Sequence, residues 1–292
     1  MSFAPRAHIF PFLITGSKGQ LGQDLQKACR TRRLDFTAGD IEEFDITDLD
    51  LMREVVRSER PTAVVNCAAY NLVDQAETDF ETACRVNGDG PKNLAIAAEE
   101  AGVPIVHFST DFVFDGAKGA PYLVDDAPNP ISRYGESKLL GEQAVQSNAT
   151  RFFLIRLSWV FGISGINFPK KVLEWAQNRS ALKVVTDQVS CPSYTADLTG
   201  PILDLLRLGA YGLYHLTNRG HCSRYEWARF VIGRARPEVA VEPAAGDEFE
   251  TAARRPAFSA LDPAPLDDVL GYHPPDWQNA TERFLKEMGV TR

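Results

Sequence analysis

The chain has 292 residues, enough for one large domain or two small ones with a substantial buried core. Its apolar and charged fractions, 44% and 24%, are those of an ordinary soluble globular protein. The formal net charge of −8 argues against non-specific nucleic-acid binding, although a local site can still bind an anion.

The cysteines and histidines predict neither a disulfide framework nor a metal site. Five cysteines are scattered without CxxC spacing, and the five histidines show no pairing at metal-ligand spacing. No segment approaches the roughly 18 consecutive apolar residues of a membrane span, and the first residues lack the pattern of a secretory signal. We therefore expect a cytoplasmic protein with reduced thiols, and neither a membrane nor a nucleic acid as partner.

Short apolar runs alternate with helical patterns through the first two-thirds of the chain, which is typical of βαβ units around a parallel sheet. Pro11 is an unusual residue inside the first of these runs, because proline cannot donate a ladder hydrogen bond. The predicted strands are residues 9–14, 36–38, 63–66, 103–108 and 153–157. The predicted helices are residues 20–32, 87–101 and 132–146.

The pattern is less regular beyond residue 160. Residues 238–265, which are rich in proline, alanine and charge, are expected to form long loops. Between residue 160 and this segment lie two predicted helices, at residues 168–178 and 195–208. Two apolar runs, at residues 183–185 and 213–216, alternate with them.

These elements predict an α/β fold: a Rossmann-like doubly wound parallel sheet with a smaller C-terminal substrate-binding lobe. The chain is expected to cross between the two parts more than once. The expected dinucleotide-binding domain is residues 1–160 plus about 184–220. The expected lobe is about residues 161–183 plus 221–292.

A GxxGxxG motif follows the first predicted strand and opens a helix, with Gly16, Gly19 and Gly22 as its glycines. Glycines permit a tight turn and close backbone approach, so that the helix N-terminus can face the pyrophosphate of a dinucleotide. The intervening residues are expected cofactor contacts as well, namely Lys18, Gln20 and Leu21. Such a motif also predicts an acid about twenty residues on for the adenosine ribose, where Asp40 and then Asp45 occur.

The sequence supports either NADPH or NADH as the cofactor. Asp40 would repel a 2′-phosphate and so favours NADH. Lys18, Arg32 and Arg33 lie close enough in the sequence to favour NADPH.

Tyr134 and Lys138 are four residues apart in a predicted helix, so their side chains share one face. An ammonium beside a phenol stabilises the phenolate and lowers the phenol pKa from about 10, so that the tyrosine can protonate a carbonyl oxygen as hydride arrives. Thr110 follows a strand expected to end at the carboxyl edge of the sheet, where its hydroxyl can bond the same oxygen. An accidental surface pair and a simple strand-end turn are the alternatives.

Together these residues resemble the extended short-chain dehydrogenase/reductases, and within them the dTDP-4-dehydrorhamnose reductase family. The resemblance runs nearly the full length of the chain. Besides the glycine and Tyr–Lys motifs, it rests on residues 66–70, 73–77, 86–87, 109–116, 156–162, 165–168, 187–188, 255–256 and 259–262.

The resemblance implies reduction of the C4 ketone of dTDP-4-dehydro-6-deoxy-L-mannose to dTDP-L-rhamnose with NAD(P)H as the reductant. Thr110, Tyr134 and Lys138 would form the catalytic triad, and Lys138 would also bind the nicotinamide ribose. The further cofactor contacts that it implies are Ala68, Ala69, Tyr70 and Asn87. The implied contacts to the nucleotide-linked 4-keto-6-deoxy sugar are Asp111, Val113, Trp159, Asn167 and Arg255.

Simpler interpretations exist for three of these substrate contacts. Trp159 could pack in the core, Asn167 could cap the helix that follows it, and Arg255 could be a solvated charge. Residues 189–193 also depart from the Gly-x-Pro-Thr more usual in the family, which leaves the exact substrate open. No acidic cluster marks a metal site, so no metal is expected, and the chain is expected to be a monomer or a homodimer.

Three other functions are compatible with the sequence. They are another NAD(P)-dependent nucleotide-sugar reductase, a 4-epimerase, and a non-catalytic dinucleotide-binding regulatory subunit of the same fold. A dehydratase is disfavoured because Phe112 follows Asp111 where a second acid would be needed.

Overall fold

The structure is a computed structural model that describes residues 11–291. No helix within these residues is long and apolar enough to cross a membrane. The strands are β1 (Phe12–Thr15), β2 (Phe36–Gly39), β3 (Ala63–Asn66), β4 (Ile105–Thr110), β5 (Phe152–Leu157), β6 (Val160–Phe161), β7 (Ala181–Val185), β8 (Val189–Ser190), β9 (Ser193–Tyr194), β10 (Gly212–His215), β11 (Cys222–Ser223) and β12 (Ala240–Ala244). The α-helices are α1 (Gln20–Arg32), α2 (Leu49–Glu59), α3 (Phe80–Cys84), α4 (Gly90–Glu100), α5 (Arg133–Asn148), α6 (Phe168–Trp175), α7 (Thr195–Leu208), α8 (Arg224–Ala235), α9 (Ala264–Leu270) and α10 (Trp277–Glu287).

Six parallel strands form the central sheet, in the order β2-β1-β3-β4-β5-β10. The chain moves outward from β1 to β2 and then returns to β3, so the strand order reverses between β1 and β3. Ligands of such sheets bind outside the carboxyl ends of the strands at that reversal. The predicted doubly wound α/β fold is confirmed. Pro11 precedes β1 instead of interrupting it, and residues 9 and 10 of the predicted strand lie outside the described residues.

Consecutive residues of the inner strands enter different apolar cores because side chains alternate across a strand. Leu13 of β1 and Val64 of β3 pack beneath α2, α4 and α5, while Ile14 and Val65 pack beneath α1 and α7. Burial on both faces explains why these strands read as continuous apolar runs.

A third core lies in the C-terminal part, where α6, α8, α10, β7 and β12 surround Trp227, Phe161 and Phe284. The sequence suggested long loops for residues 238–265. That expectation is wrong for part of the segment, because β12 lies within it and pairs in parallel with β7. Most residues of β12 are exposed or half-buried and one is Pro243, so the segment carries no buried-strand pattern. The division into two domains stays a prediction.

Candidate active site

The glycine turn between β1 and α1 has no room for side chains. Gly16 has φ +63°, and a Cβ on it would lie 2.4 Å from the backbone nitrogen of Ala68. A Cβ on Gly22 would lie 2.4 Å from the carbonyl oxygen of Gly16. The first turn of α1 therefore packs directly on the loop that follows β1, and its N-terminal N–H groups face the sheet edge, as pyrophosphate binding requires.

Substituting Gly22 by alanine should push α1 away from this turn. We expect Gly22→Ala to weaken NADPH binding at least about tenfold, and overpacking to lower the free energy of unfolding by about 1–3 kcal/mol. Gly233→Ala is the matched control, because nothing lies within 4 Å of a Cβ at that helical position. The control should keep wild-type NADPH affinity and gain about 0.5–1 kcal/mol of stability. Wild-type affinity in Gly22→Ala, measured by fluorescence titration, would contradict the packing argument.

A cavity of about 520 Å³ adjoins the glycine turn on the side of β2. Among the residues predicted to bind cofactor, those lining this β2-side cavity are Gly16, Lys18, Gly19, Asp40, Asp45, Ala68, Ala69 and Tyr70. We call it the dinucleotide cavity. Other residues line it that no sequence motif marked, including Phe44, Asn71, Thr82 and Arg85.

Two charged side chains beside the dinucleotide cavity, Asp40 and Lys18, already have partners within the protein. Asp40 accepts a hydrogen bond from the backbone nitrogen of Lys18 at 2.9 Å, and the Lys18 ammonium pairs with Glu42 at 2.7 Å. Arg32 is at the far end of α1, where it pairs with Asp204 at 2.7 Å, and Arg33 caps that same end. The two arginines therefore give no support for NADPH, contrary to the argument from sequence proximity.

Asn87 does not line the dinucleotide cavity; it holds the loop that does. It lies in a single π-helical turn, Arg85–Asp89, that precedes α4. Its side chain accepts a hydrogen bond from the Tyr70 backbone nitrogen at 2.8 Å and donates to the Tyr70 carbonyl at 3.0 Å. A third bond, to the Ser137 hydroxyl at 2.9 Å, connects this loop with α5.

The predicted triad lines one cleft of about 430 Å³ at the carboxyl end of β4. Thr110 is the last residue of β4, while Tyr134 and Lys138 come from the first turns of α5. The Tyr134 hydroxyl donates to the Asn71 side-chain oxygen at 3.3 Å, and the Lys138 ammonium donates to the Phe108 carbonyl at 2.7 Å. This catalytic cleft shares four lining residues with the dinucleotide cavity, namely Gly19, Cys67, Ala69 and Asn71.

Burial controls the protonation of both Tyr134 and Lys138, the predicted catalytic pair. It raises the pKa of Tyr134 above its ordinary value, with a hydrogen bond from Thr110 opposing the shift. It lowers the pKa of Lys138 to about 8, with the charge of Glu142 opposing. The Tyr–Lys spacing predicted a lowered Tyr134 pKa, but desolvation raises it instead. Tyr134 is therefore protonated at neutral pH, which is the form that a proton donor needs.

The alkaline limb of the pH–rate profile should follow Lys138 and not Tyr134. Because the Lys138 pKa is about 8 and the Tyr134 pKa is raised, the lysine loses its proton first as pH rises. We expect kcat/KM, which reports the free enzyme, to fall above about pH 8. A profile that stays flat through pH values well above the Lys138 pKa would contradict this assignment.

Asp111 faces the cleft but is held by hydroxyl groups from distant segments. One carboxylate oxygen accepts from Ser190 at 2.9 Å and Ser259 at 2.6 Å, and the other accepts from Thr110 at 3.2 Å. Burial raises the Asp111 pKa, and these hydrogen bonds oppose the shift. Val113, by contrast, is fully buried outside the cleft, in a cluster with Phe114, Tyr122 and Leu261.

A third cavity of about 420 Å³ continues from the catalytic cleft into the C-terminal part. Asn167 lines it and also caps α6, accepting from the Lys170 backbone nitrogen at 3.3 Å. Arg255 lines both this cavity and the cleft, and forms an ion pair with Asp74 at 2.7 Å. We call this space the lobe cavity; its apolar lining includes Ile166, Phe168, Trp175 and Phe249.

The Trp159 side chain lines the catalytic cleft and also packs against another tryptophan. Its ring stacks on Trp227 with centroids 5.8 Å apart and planes within 7°, while its backbone has φ +40°. A left-handed conformation is unusual for a tryptophan and often marks a functional site. The cleft therefore has a rigid aromatic wall on the side of the lobe.

Sequence reasoning missed two cleft residues of particular interest. Asn71 lies in the loop after β3, so extending the strand-end argument by a few residues would have found it. Arg224 begins α8 and reaches the cleft only through tertiary packing, and no motif or spacing in the sequence marks it.

Comparison with known proteins decides the family. A family model described as the RmlD substrate binding domain matches residues 11–290. A dTDP-4-dehydrorhamnose reductase of Aggregatibacter actinomycetemcomitans is 36% identical, with 93% of this chain and 97% of that protein covered. The chain belongs to the dTDP-4-dehydrorhamnose reductase family.

Other members of the dTDP-4-dehydrorhamnose reductase family and its relatives are similar over most of the chain. A crystal structure of the Bacillus anthracis dTDP-4-dehydrorhamnose reductase in complex with NADP has a TM-score of 0.91 and 37% identity, covering 95% of this chain and 99% of that one. A dTDP-4-keto-6-deoxy-D-glucose reductase of Streptomyces niveus is 37% identical, covering 86% of this chain and 88% of that protein.

Proposed function

We propose that the protein reduces the C4 ketone of dTDP-4-dehydro-6-deoxy-L-mannose to dTDP-L-rhamnose, with NADPH or NADH as the reductant. The observation that supports this most directly is the catalytic cleft itself. Thr110, Tyr134 and Lys138 line it, and it continues on one side into the dinucleotide cavity and on the other into the lobe cavity. A ketone between the two would meet the cofactor from one side while its nucleotide extends to the other.

The glycine turn and the dinucleotide cavity fit a nicotinamide dinucleotide, because Gly16 and Gly22 let the N-terminus of α1 pack closely on the turn at the edge of that cavity. When bound, the reduced nicotinamide supplies a hydride to the ketone carbon. Tyr134 donates its phenolic proton to the ketone oxygen, and Thr110 donates a hydrogen bond to that same oxygen. The buried Lys138 ammonium stabilises the phenolate that remains until solvent returns the proton.

The test is the absorbance of the reduced nicotinamide, followed with enzymatically prepared dTDP-4-dehydrorhamnose and either NADPH or NADH. We expect a loss of absorbance that requires both protein and sugar nucleotide. The ratio of the two rates then gives the cofactor preference. No loss with either cofactor, despite measurable dinucleotide binding, would contradict the proposal and favour a regulatory subunit.

The 37% identity to a dTDP-4-keto-6-deoxy-D-glucose reductase makes that diastereomeric ketone the main competing substrate. Both ketones should be assayed at equal concentration, and kcat/KM compared. A higher kcat/KM with the D-gluco ketone would make this protein a reductase of that substrate, and would leave the assigned catalytic residues unchanged.

We also infer that the protein acts as a monomer or homodimer in the cytoplasm and without a metal. Residues 11–291 contain no group of three or more histidine, cysteine, aspartate or glutamate side chains positioned to hold a metal ion. Light scattering after size exclusion gives the oligomeric state. Turnover that is lost with EDTA and restored by Mg²⁺ would contradict the metal-free assignment.

A further inference from the structure

Arg224 is the first residue of α8, and its guanidinium lies over the ring of Trp159, with two further aromatic rings nearby. The guanidinium carbon is 3.6 Å from the ring centroid of Trp159, 4.6 Å from that of Phe168 and 5.7 Å from that of Trp227. Stacking uses the face of a guanidinium and leaves its N–H donors, which lie in its plane, free for an acceptor.

Those donors have no partner within the described part of the chain. Over residues 11–291, no carboxylate forms an ion pair with Arg224 and no hydrogen bond engages its guanidinium, whereas Arg255 is paired with Asp74 and Arg156 with Glu142. Arg224 is half-buried and lines the catalytic cleft, so its unpaired N–H donors are available to an anion that enters there.

The strongest charge acting on Arg224 is that of Asp111, but Asp111 is already satisfied. Its two oxygens accept hydrogen bonds from Thr110, Ser190 and Ser259. Burial lowers the pKa of Arg224 to about 9, which still leaves it charged at neutral pH. An incoming anion would therefore meet a charged, half-buried and unpaired donor group.

Arg224 stands at the boundary between two of the cavities. Of the residues that line the catalytic cleft, only Arg224 and Arg255 also line the lobe cavity. In a nucleotide sugar, the diphosphate is the part that joins the sugar to the nucleoside. A substrate with its ketone at Tyr134 and its nucleoside against the apolar lobe cavity must pass its diphosphate across this boundary.

We propose that the Arg224 guanidinium binds the diphosphate of the nucleotide-sugar substrate, held in place for bidentate bonding by the rings of Trp159 and Phe168. The inference rests on the proposed function for the position of the sugar. It assigns to Arg224 the selection of nucleoside diphosphate sugars over sugars that lack the diphosphate. Bidentate recognition of phosphate is the chemistry for which arginine is better suited than lysine.

The test compares binding of dTDP and thymidine to the full-length protein by isothermal titration calorimetry, because neither ligand requires turnover. Wild type should bind dTDP at least about tenfold more tightly than thymidine. Arg224→Gln should raise the Kd for dTDP about 10- to 100-fold, and should change the Kd for thymidine and NADPH less than about threefold. Arg229→Gln, an exposed arginine on the same helix, is the matched control and should leave all three Kd values unchanged.

Arg224→Lys keeps the charge but loses the planar donor fork, so it should raise the dTDP Kd by less than Arg224→Gln does. If the thermal transition of Arg224→Gln shows that this variant does not fold, the dTDP and thymidine affinities of Arg224→Lys are compared with wild type instead. Unchanged dTDP affinity in these variants, an equal loss for thymidine, or no dTDP binding by wild type would overturn the inference. A dTDP-specific loss in a protein that reduces neither 4-keto sugar would uphold it and contradict the proposed function instead.

Discussion

Tyr134→Phe is expected to lower kcat by about 10²- to 10⁴-fold, the usual contribution of a positioned proton donor. The substitution removes only the hydroxyl, which donates to Asn71 at 3.3 Å, and keeps the ring that packs edge-on against Phe112. Affinity for NADPH should stay within about threefold of wild type, because the glycine turn is untouched. Single-turnover measurements at saturating substrate separate this loss in the chemical step from any change in binding.

Tyr211→Phe is the matched control for that experiment. Tyr211 directly precedes β10, at the edge of the sheet opposite the cleft, and its ring packs against Phe153 with centroids 5.0 Å apart. Its loss should leave kcat and KM unchanged. Near-wild-type turnover in Tyr134→Phe would remove Tyr134 from its role as the acid, and would also contradict the proposed mechanism.

Arg156→Met is expected to destabilise the fold by about 3–5 kcal/mol, because it leaves a buried carboxylate without its partner. The Arg156 and Glu142 side chains are 3% and 2% exposed, and two bonds of 2.9 and 2.8 Å join them. The Arg156 guanidinium also lies 5.0 Å from the Phe114 ring centroid. Urea denaturation measures the loss as a lower midpoint.

The exposed Arg53–Glu100 pair provides the comparison for the buried one. Arg53→Met breaks a contact of similar length, 2.7 Å, whose side chains are 34% and 49% exposed. Solvent screening should limit its cost to about 0–1 kcal/mol. Equal costs for the two substitutions would show that burial does not control the contribution of the Arg156–Glu142 pair.

Much of the fold and of the catalytic cleft could be predicted because the relevant signals are local. The Gly16 turn, the end of β4 at Thr110 and the shared helical face of Tyr134 and Lys138 each depend on a few neighbouring residues. Parallel strands then bring their carboxyl ends together whatever the intervening sequence. The topology follows from the same alternation of elements.

The contacts that could not be predicted from the sequence depend on tertiary packing. Val113 follows Thr110 by only three positions, yet the 3₁₀ turn after β4 directs it into the core beside Phe114. The partners of Asp111 come from β8 and from Ser259, far along the chain. Arg224 reaches the cleft by folding back over Trp159. No local pattern encodes such approaches.

The hydroxyl groups around Asp111 have a consequence for how the protein is made. Ser259, which donates to this carboxylate at 2.6 Å, is translated long after β4. α10, near the end of the chain, also bonds back to α1 through Glu287 and Lys27 at 3.1 Å. A ribosome-bound chain that ends before these segments must hold an incompletely satisfied carboxylate at the edge of its sheet. We therefore expect the catalytic cleft to mature only at the close of synthesis, and nascent chains truncated before Ser259 to be sensitive to protease.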